Sequence, residues 1–379
     1  YLADHGATVV HVESESRPDN LRGVGPFKDG IPGWNRSHFF GNFNTSKLGL
    51  ALQLKNPLAA DAARRLIAWA DVYVESFTPG TVDQLGIGYE VARELNPSIV
   101  MLSTCLMGQT GPAASMAGYG YHAGAVAGFY EVTGWPDLPP AGPYMAYTDT
   151  VAPRFAASSL MAAIDRARRT GEGCCIDGAQ FEMGLQFLAP EILEYQALGH
   201  QATRMGNRDR RLAPHGVFPC AGEDQWCAIA IENTAQWHAL VGVLGAPEGL
   251  DLGELDEASG RLAQQAQLEA WISEWTRVRD PQEVMEKLQA SGVPSGRVQR
   301  SSDLLEDPQY AHRGFNRYME HPEMGNVPYA GHQFRISGYD SGPRTPAPLL
   351  GQHSFEVLQE ILGMSDEEIA ELVAGDGMS

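Results

Sequence analysis

The apolar positions of the first hundred residues fall into short continuous runs separated by stretches with helical spacing. Residues 7–12 (Ala-Thr-Val-Val-His-Val), 71–75 and 99–103 read as buried strands, and 58–70 and 91–96 as the helices between them. This strand–helix alternation predicts an α/β fold with a mainly parallel sheet, covered on both faces and joined by right-handed crossovers. A long helix is predicted over 151–169, stopped by Gly171 and Gly173, and a second over 181–198.

The pattern then changes. Residues 204–214 are polar and rich in arginine, which marks a loop or boundary. From Gly216 a strand pair (217–220 and 226–231) flanks a Gly-Glu-Asp turn, with helices near 235–244, 268–276 and 281–291. The tail from His353 is helical again, with Gly363 at a helix end and Ser365 and Glu368 placed for a capping box. The expected organisation is a large domain beginning with 1–200, a smaller α+β domain over 216–320, and a return linker with C-terminal helices over 321–379.

Composition narrows the function. A formal net charge of −20 with no compensating basic block repels nucleic acid and anionic membrane surfaces, so neither is expected as a partner. No run approaches the roughly 20 apolar residues of a membrane span. No secretory leader pattern is present, so a cytoplasmic location is expected. The chain opens at Tyr1, without Met, inside what reads as a helix followed by a strand, so an upstream piece is expected to be missing. Cys105, Cys174, Cys175, Cys220 and Cys227 form no CxxC pair, which points to reduced structural cysteines and not to zinc or disulfides.

Two segments hold candidate chemistry. Gly118, Gly120 and Ala123 nearly form a dinucleotide fingerprint, but the third glycine is lacking and no strand leads into it. An NAD-dependent enzyme, suggested by Glu13 and Glu15 after a strand, is disfavoured on that ground. The segment Tyr147-Thr148-Asp149-Thr150-Val151-Ala152-Pro153 puts a carboxylate at the start of a long helix, with Pro153 in its first turn. A helix N-terminus favours an anion, which suits either an ionised nucleophile or a plain helix cap.

The wider sequence resembles the family III (CaiB/BaiF) CoA-transferases. Asp149 is followed by a small-residue helix ending in Arg166-Ala167-Arg168-Arg169-Thr170-Gly171-Glu172-Gly173. Upstream stand Val74-Glu75-Ser76-Phe77-Thr78-Pro79-Gly80, Leu85-Gly86, Asn96-Pro97 and Gly108-Gln109-Thr110-Gly111-Pro112. Downstream stand Gly292-Val293-Pro294-Ser295-Gly296, Asp307-Pro308 and Leu349-Leu350-Gly351-Gln352-His353. The resemblance covers nearly the whole chain and follows the family's order.

That resemblance implies an intertwined dimer, homomeric or with a related second subunit. Each chain would have a Rossmann-like large domain and a smaller inserted α+β domain. It implies a transferase with acyl-CoA and a carboxylic acid as substrates, no tightly bound cofactor and no metal. Asp149 would be the nucleophile, passing through an aspartyl anhydride and an aspartyl-CoA thioester. Family positions for CoA contacts fall on Arg22, Leu52, Lys55, Ser76, Phe77 and Gln84, where Ser76 replaces an Asn and Gln84 an Arg. The first strand and loop that touch CoA in the family lie before Tyr1, and the tetraglycine loop of the oxalate branch is replaced by residues 204–215. The rival readings are an acyl-CoA racemase or isomerase and a non-catalytic partner subunit. The racemase's proton-abstracting His falls on Tyr119, with His122 three residues on, and a silent subunit would lack Asp149. Residues 130–136 and 205–208 are similar to the branch that couples succinyl-CoA to benzylsuccinate. Arg204, Arg208 or Arg210 would then hold a second carboxylate, or stand as solvated loop charges.

Overall fold

The apolar runs form parallel strands. In the computed structural model, which describes residues 1–378, β1 (Val10–Glu13) pairs in parallel with β2 (Leu48–Ala51). A second parallel sheet is built from β3 (Val72–Glu75), β4 (Val100–Cys105) and β5 (Cys174–Ala179), in that order. The chain divides into two units: one comprises Tyr1–Phe129, Pro143–Leu193 and the residues from Asp307 onward, the other Tyr130–Gly142 and Glu194–Glu306.

In the first unit the helix α1 (Pro57–Trp69) begins where Asn56 caps it, accepting from the N–H groups of Leu58 and Ala59, with Pro57 at the first helical position. The α2 helix (Tyr89–Leu95) follows β3, and α3 (Gly120–Val126) follows β4. Then come α4 (Tyr147–Thr170) before β5 and α5 (Gln180–Leu185) directly after it. Strand β4 is covered on both sides, as a parallel sheet requires. Val100 and Leu102 pack with Leu160 and Ala167 of α4. Met101, with Ile99 just before the strand, packs with Ile67 of α1 and with Val357 and Leu372 near the C-terminus. Each such fully buried aliphatic side chain contributes about 1.5–3 kcal/mol.

Two helix expectations need correction. The long helix begins at Tyr147, four residues before the expected start, so Pro153 lies inside it and not in its first turn. The expected helix over 181–198 is broken into α5, a 3-10 turn (Gln186–Leu188) and α6 (Ala189–Leu198). Pro190 accounts for the break: it has no N–H for the carbonyl of Gln186 and its ring crowds that carbonyl.

The second unit carries the antiparallel strands β6 (His215–Pro219), β7 (Trp226–Ala230) and β8 (Ser295–Arg297). Its core joins Phe218, Cys227 and Ile229 of the sheet to Trp237 and Leu240 of α7 (Thr234–Leu244). Ile272 of α8 (Gln265–Thr276) and Leu288 of α9 (Pro281–Ala290) close it. Burial pushes the thiols of Cys220 and Cys227 up to about 11 and about 12, and all five cysteines are free.

The chain then returns to the first unit through the hairpin β9 (Asn316–His321) and β10 (Gly325–Ala330). It ends in α10 (Asp366–Ala374), whose capping box forms as expected: Ser365 Oγ accepts from the Glu368 N–H at 3.3 Å, and Glu368 Oε2 accepts from the Ser365 N–H at 2.8 Å. No helix among the described residues is long and apolar enough to cross a membrane.

Candidate active site

Asp149 occupies the third position of α4, and the residue flanking the helix start is Ala146, which makes no side-chain cap. Asp149 is therefore not the helix cap. Successive helical residues point about 100° apart, so Thr148 and Asp149 have separate tasks. Thr148 is fully buried and its Oγ1 donates to the carbonyl of Gly120 at 2.9 Å. The Thr148 methyl lies where Gly184 of α5 leaves room; a Cβ there would stand 3.1 Å from it. Thr148 thus pins the start of α4 to α3 and α5, while Asp149 remains exposed.

Two residues hold the Asp149 carboxylate. Gln180, the first residue after β5, donates from Nε2 to Asp149 Oδ1. Gly120 opens α3 and faces the same group: a Cβ added there would stand 2.5 Å from Oδ1 and 2.8 Å from Oδ2. Only a glycine leaves the carboxylate in this place. The helix dipole of α4 also favours negative charge here, by about 0.3–1 kcal/mol at an exposed first turn. Pro153 has no N–H to donate to the Asp149 carbonyl four residues back.

A loop rich in glycine lies at the carboxyl ends of β4 and β5. Gly108 (φ 87°) and Gly111 (φ 98°) adopt left-handed conformations there. The N–H of Gln109 donates to Asp177 Oδ1 at 2.8 Å, and that of Phe181 to the Leu106 carbonyl at 3.1 Å. In an open parallel sheet this end is where ligands bind.

The model of CoA-transferase family III matches residues 1–354. The chain belongs to that family. It is 29% identical over 379 residues to the succinyl-CoA–D-citramalate CoA-transferase of Chloroflexus aurantiacus, covering 98% of this chain and 92% of that one. It is 30% identical over 373 residues to the human succinyl-CoA:glutarate CoA-transferase, covering 98% and 84%. The crystal structure of a CAIB/BAIF family protein from Brucella suis superposes with a TM-score of 0.84 at 29% identity, covering 95% of this chain and 93% of that one. This family III member is a CoA-transferase of mixed α/β architecture with parallel sheets.

The residues expected to touch CoA fall into two groups in this CoA-transferase. Lys55 follows β2, Ser76 and Phe77 follow β3, and Gln84 ends a short helix (Thr81–Gln84); all four are exposed, Phe77 by 43%. Arg22 and Leu52 are each only 1% exposed. Leu52 belongs to the core around α1. Arg22 pairs with Glu13 through Nε (2.9 Å) and Nη2 (2.6 Å). Its Nη1 donates to the Trp34 carbonyl and Asn35 Oδ1, both at 3.0 Å, its Nη2 to the Pro348 carbonyl at 3.1 Å, and it stacks on Phe40. The Arg22 donors are thus occupied inside the fold. Burial alone would raise the Glu13 carboxyl, but the hydrogen bonds and charge of Arg22 outweigh it and hold it below its ordinary value.

The loop arginines are also engaged. Arg208 grips Glu269 through Nε and Nη2 at 2.9 and 2.7 Å, and Arg210 grips Glu194 through two bonds of 2.6 Å. Arg204 pairs with Glu131 at 3.2 Å. A cavity of about 450 Å³ opens in this second unit beside Asn207, Arg208, His215 and Ser295, and none of the expected catalytic or CoA-contacting residues lines it.

Tyr119 is 67% exposed. Nδ1 of His122 accepts from its backbone N–H at 3.1 Å. Sequence reasoning missed Gln180, Gly120 as a partner of Asp149, and Thr148. The available signals were the Gly-Ala-Gln step out of a strand and the paired threonines around Asp149.

Proposed function

We propose that this family III enzyme moves CoA from succinyl-CoA to a dicarboxylic acid, with Asp149 as the covalent nucleophile. The observation that carries the reading is the exposed Asp149 carboxylate in the first turn of α4, held by Gln180 against Gly120. The donor and acceptor class are supported by the relatives, whose names pair succinyl-CoA with D-citramalate or with glutarate.

An Asp149 oxygen attacks the thioester carbonyl of the donor, the C–S bond breaks, and CoA leaves as thiolate, forming a mixed anhydride on Asp149. The thiolate attacks Asp149 Cγ, the donor acid leaves as carboxylate, and an aspartyl-CoA thioester remains. The acceptor carboxylate attacks this thioester and releases thiolate, which then takes the acceptor acyl group from the second anhydride. Asp149 returns as a carboxylate. Because each step exchanges one activated acyl group for another, no nucleotide is consumed.

In this reading CoA lies along the carboxyl ends of the parallel strands, beside Lys55, Ser76, Phe77 and Gln84, and Arg22 and Leu52 support the site from within. The working assembly is an intertwined dimer with a Rossmann-like large domain. Racemization is less well supported: Tyr119 is no imidazole base, and His122, accepting at Nδ1, carries its proton on Nε2 when neutral. The test is chromatography of CoA esters after incubation with succinyl-CoA and an acid such as glutarate or citramalate. A new acyl-CoA is expected from the wild type, with a loss of at least about 1,000-fold in Asp149→Ala. Full transfer by Asp149→Ala would overturn the assignment.

A further inference from the structure

We propose that Gln180 is a positioning residue that assigns the two oxygens of Asp149 their roles and serves as the oxyanion donor when Asp149 itself is attacked. The inference rests on the reading of Asp149 as nucleophile. An ionised carboxylate only accepts hydrogen bonds, so Gln180 presents its NH2 group and not its carbonyl to Asp149 Oδ1. That bond ties up one lone pair of Oδ1 and leaves Oδ2 as the less encumbered attacking atom. Gly120 closes the other side, because its missing Cβ is what lets the carboxylate stay within reach of Gln180.

The same amide acts again one step later. When Oδ2 has been acylated, Oδ1 is the carbonyl oxygen of the aspartyl half of the anhydride. The CoA thiolate adds to Cγ, the Cγ=Oδ1 bond becomes single, and the negative charge collects on Oδ1. The Nε2–H of Gln180 already points at that atom, so stabilising the charge needs no rearrangement. As the tetrahedral centre collapses, the Cγ–Oδ2 bond breaks, Oδ2 departs with the donor acid, and Oδ1 becomes the thioester carbonyl. No proton is transferred by Gln180 at any stage.

Position in the fold favours this role. Gln180 is the first residue beyond β5, a strand paired in register with β4 over six residues, so its backbone is fixed by the sheet. Asp149 is fixed independently by Thr148. The two side chains meet because two separately anchored helix starts converge.

The experiment compares Gln180→Leu, Gln180→Met and Gln180→Glu with Asp149→Ala and the wild type, measuring kcat and KM for succinyl-CoA and the melting curve of each. Leu and Met remove the donor at similar volume, and kcat is expected to fall about 100- to 1,000-fold with KM for succinyl-CoA unchanged. Glu has nearly the same shape as Gln but faces Asp149 with a second carboxylate, so it should be at least as impaired as Leu. A side chain needed only for packing gives the opposite order, with Glu closest to the wild type. Gln180 variants with wild-type kcat, or Glu as the best of them, would overturn the inference while an inactive Asp149→Ala left the nucleophile standing. An active Asp149→Ala would instead remove the reading beneath it.

Discussion

The carboxylate of Asp149 and the bare Cα of Gly120 share a space that admits no further atom. Gly120 has no left-handed backbone angle, so its identity is set by this contact and not by its conformation. Replacement by alanine therefore tests the contact. The Asp149 side chain can swing aside to admit the methyl group, so Gly120→Ala should change the melting temperature little. It should lower kcat by about 100-fold, since misplacement by 1 Å carries penalties of that size. A melting curve and a transfer assay on the same sample check both halves. Asp149 was legible in the sequence because it sits in an ordered string of family motifs. Its partner was not. Gln180 follows a strand whose Asp177 and Gly178 disfavour strand formation, so the Gly-Ala-Gln step was too weak a signal to place its side chain.

At the scale of elements, the site is made where α3, α4 and α5 start, and Thr148 is the pin between them. Its hydroxyl bond to the Gly120 carbonyl is buried, so Thr148→Val keeps the shape and removes that bond, leaving the carbonyl only its partner within α3. The expected cost is about 0.5–1.5 kcal/mol in urea unfolding, with a fall in kcat because Asp149 loses its anchor. Unchanged stability and kcat would show that α4 is held by packing alone. The first-half strands and helices were read from apolar runs of ordinary length, and β3, β4, α1 and α2 emerged within a few residues of expectation. Strand β2 escaped because Leu-Gly-Leu-Ala is short and carries a glycine, which the structure uses: a Cβ at Gly49 would lie 3.0 Å from the Leu349 carbonyl. Pro153 misled in the other direction, since its preference for a helix start outweighed the weaker signals of Tyr147 and Thr148.

At the scale of the molecule, distant parts of the sequence are tied together in the first unit by one buried ion pair. Arg22 connects Glu13 at the end of β1 to Trp34, Asn35 and Pro348. The family resemblance gave Arg22 a CoA contact; a buried pairing with Glu13 nine residues back and with the Pro348 carbonyl 326 residues on leaves no local pattern in the sequence. Glu13 has a folded-state value below its ordinary value of about 4.5, so the folded protein binds fewer protons than the unfolded chain as acid is added. The stability it contributes is present above about 4.5 and is lost as pH falls toward the lower folded value. Thermal melting between pH 7 and pH 3 should show this loss. In Glu13→Gln the contribution should be absent at pH 7 already, because Arg22 is left as an uncompensated buried charge, at about 3–5 kcal/mol. A variant as stable as the wild type at pH 7 would contradict this account of Arg22.

In the proposed mechanism Asp149 becomes covalently acylated and then carries CoA. The most direct measurement is peptide mass spectrometry of the protein mixed with succinyl-CoA and quenched with and without hydroxylamine. A CoA adduct is expected on the peptide containing Asp149, with conversion to a hydroxamate by hydroxylamine and the absence of both in Asp149→Ala. Turnover of succinyl-CoA with no adduct on that peptide, or an adduct that persists in Asp149→Ala, would contradict it.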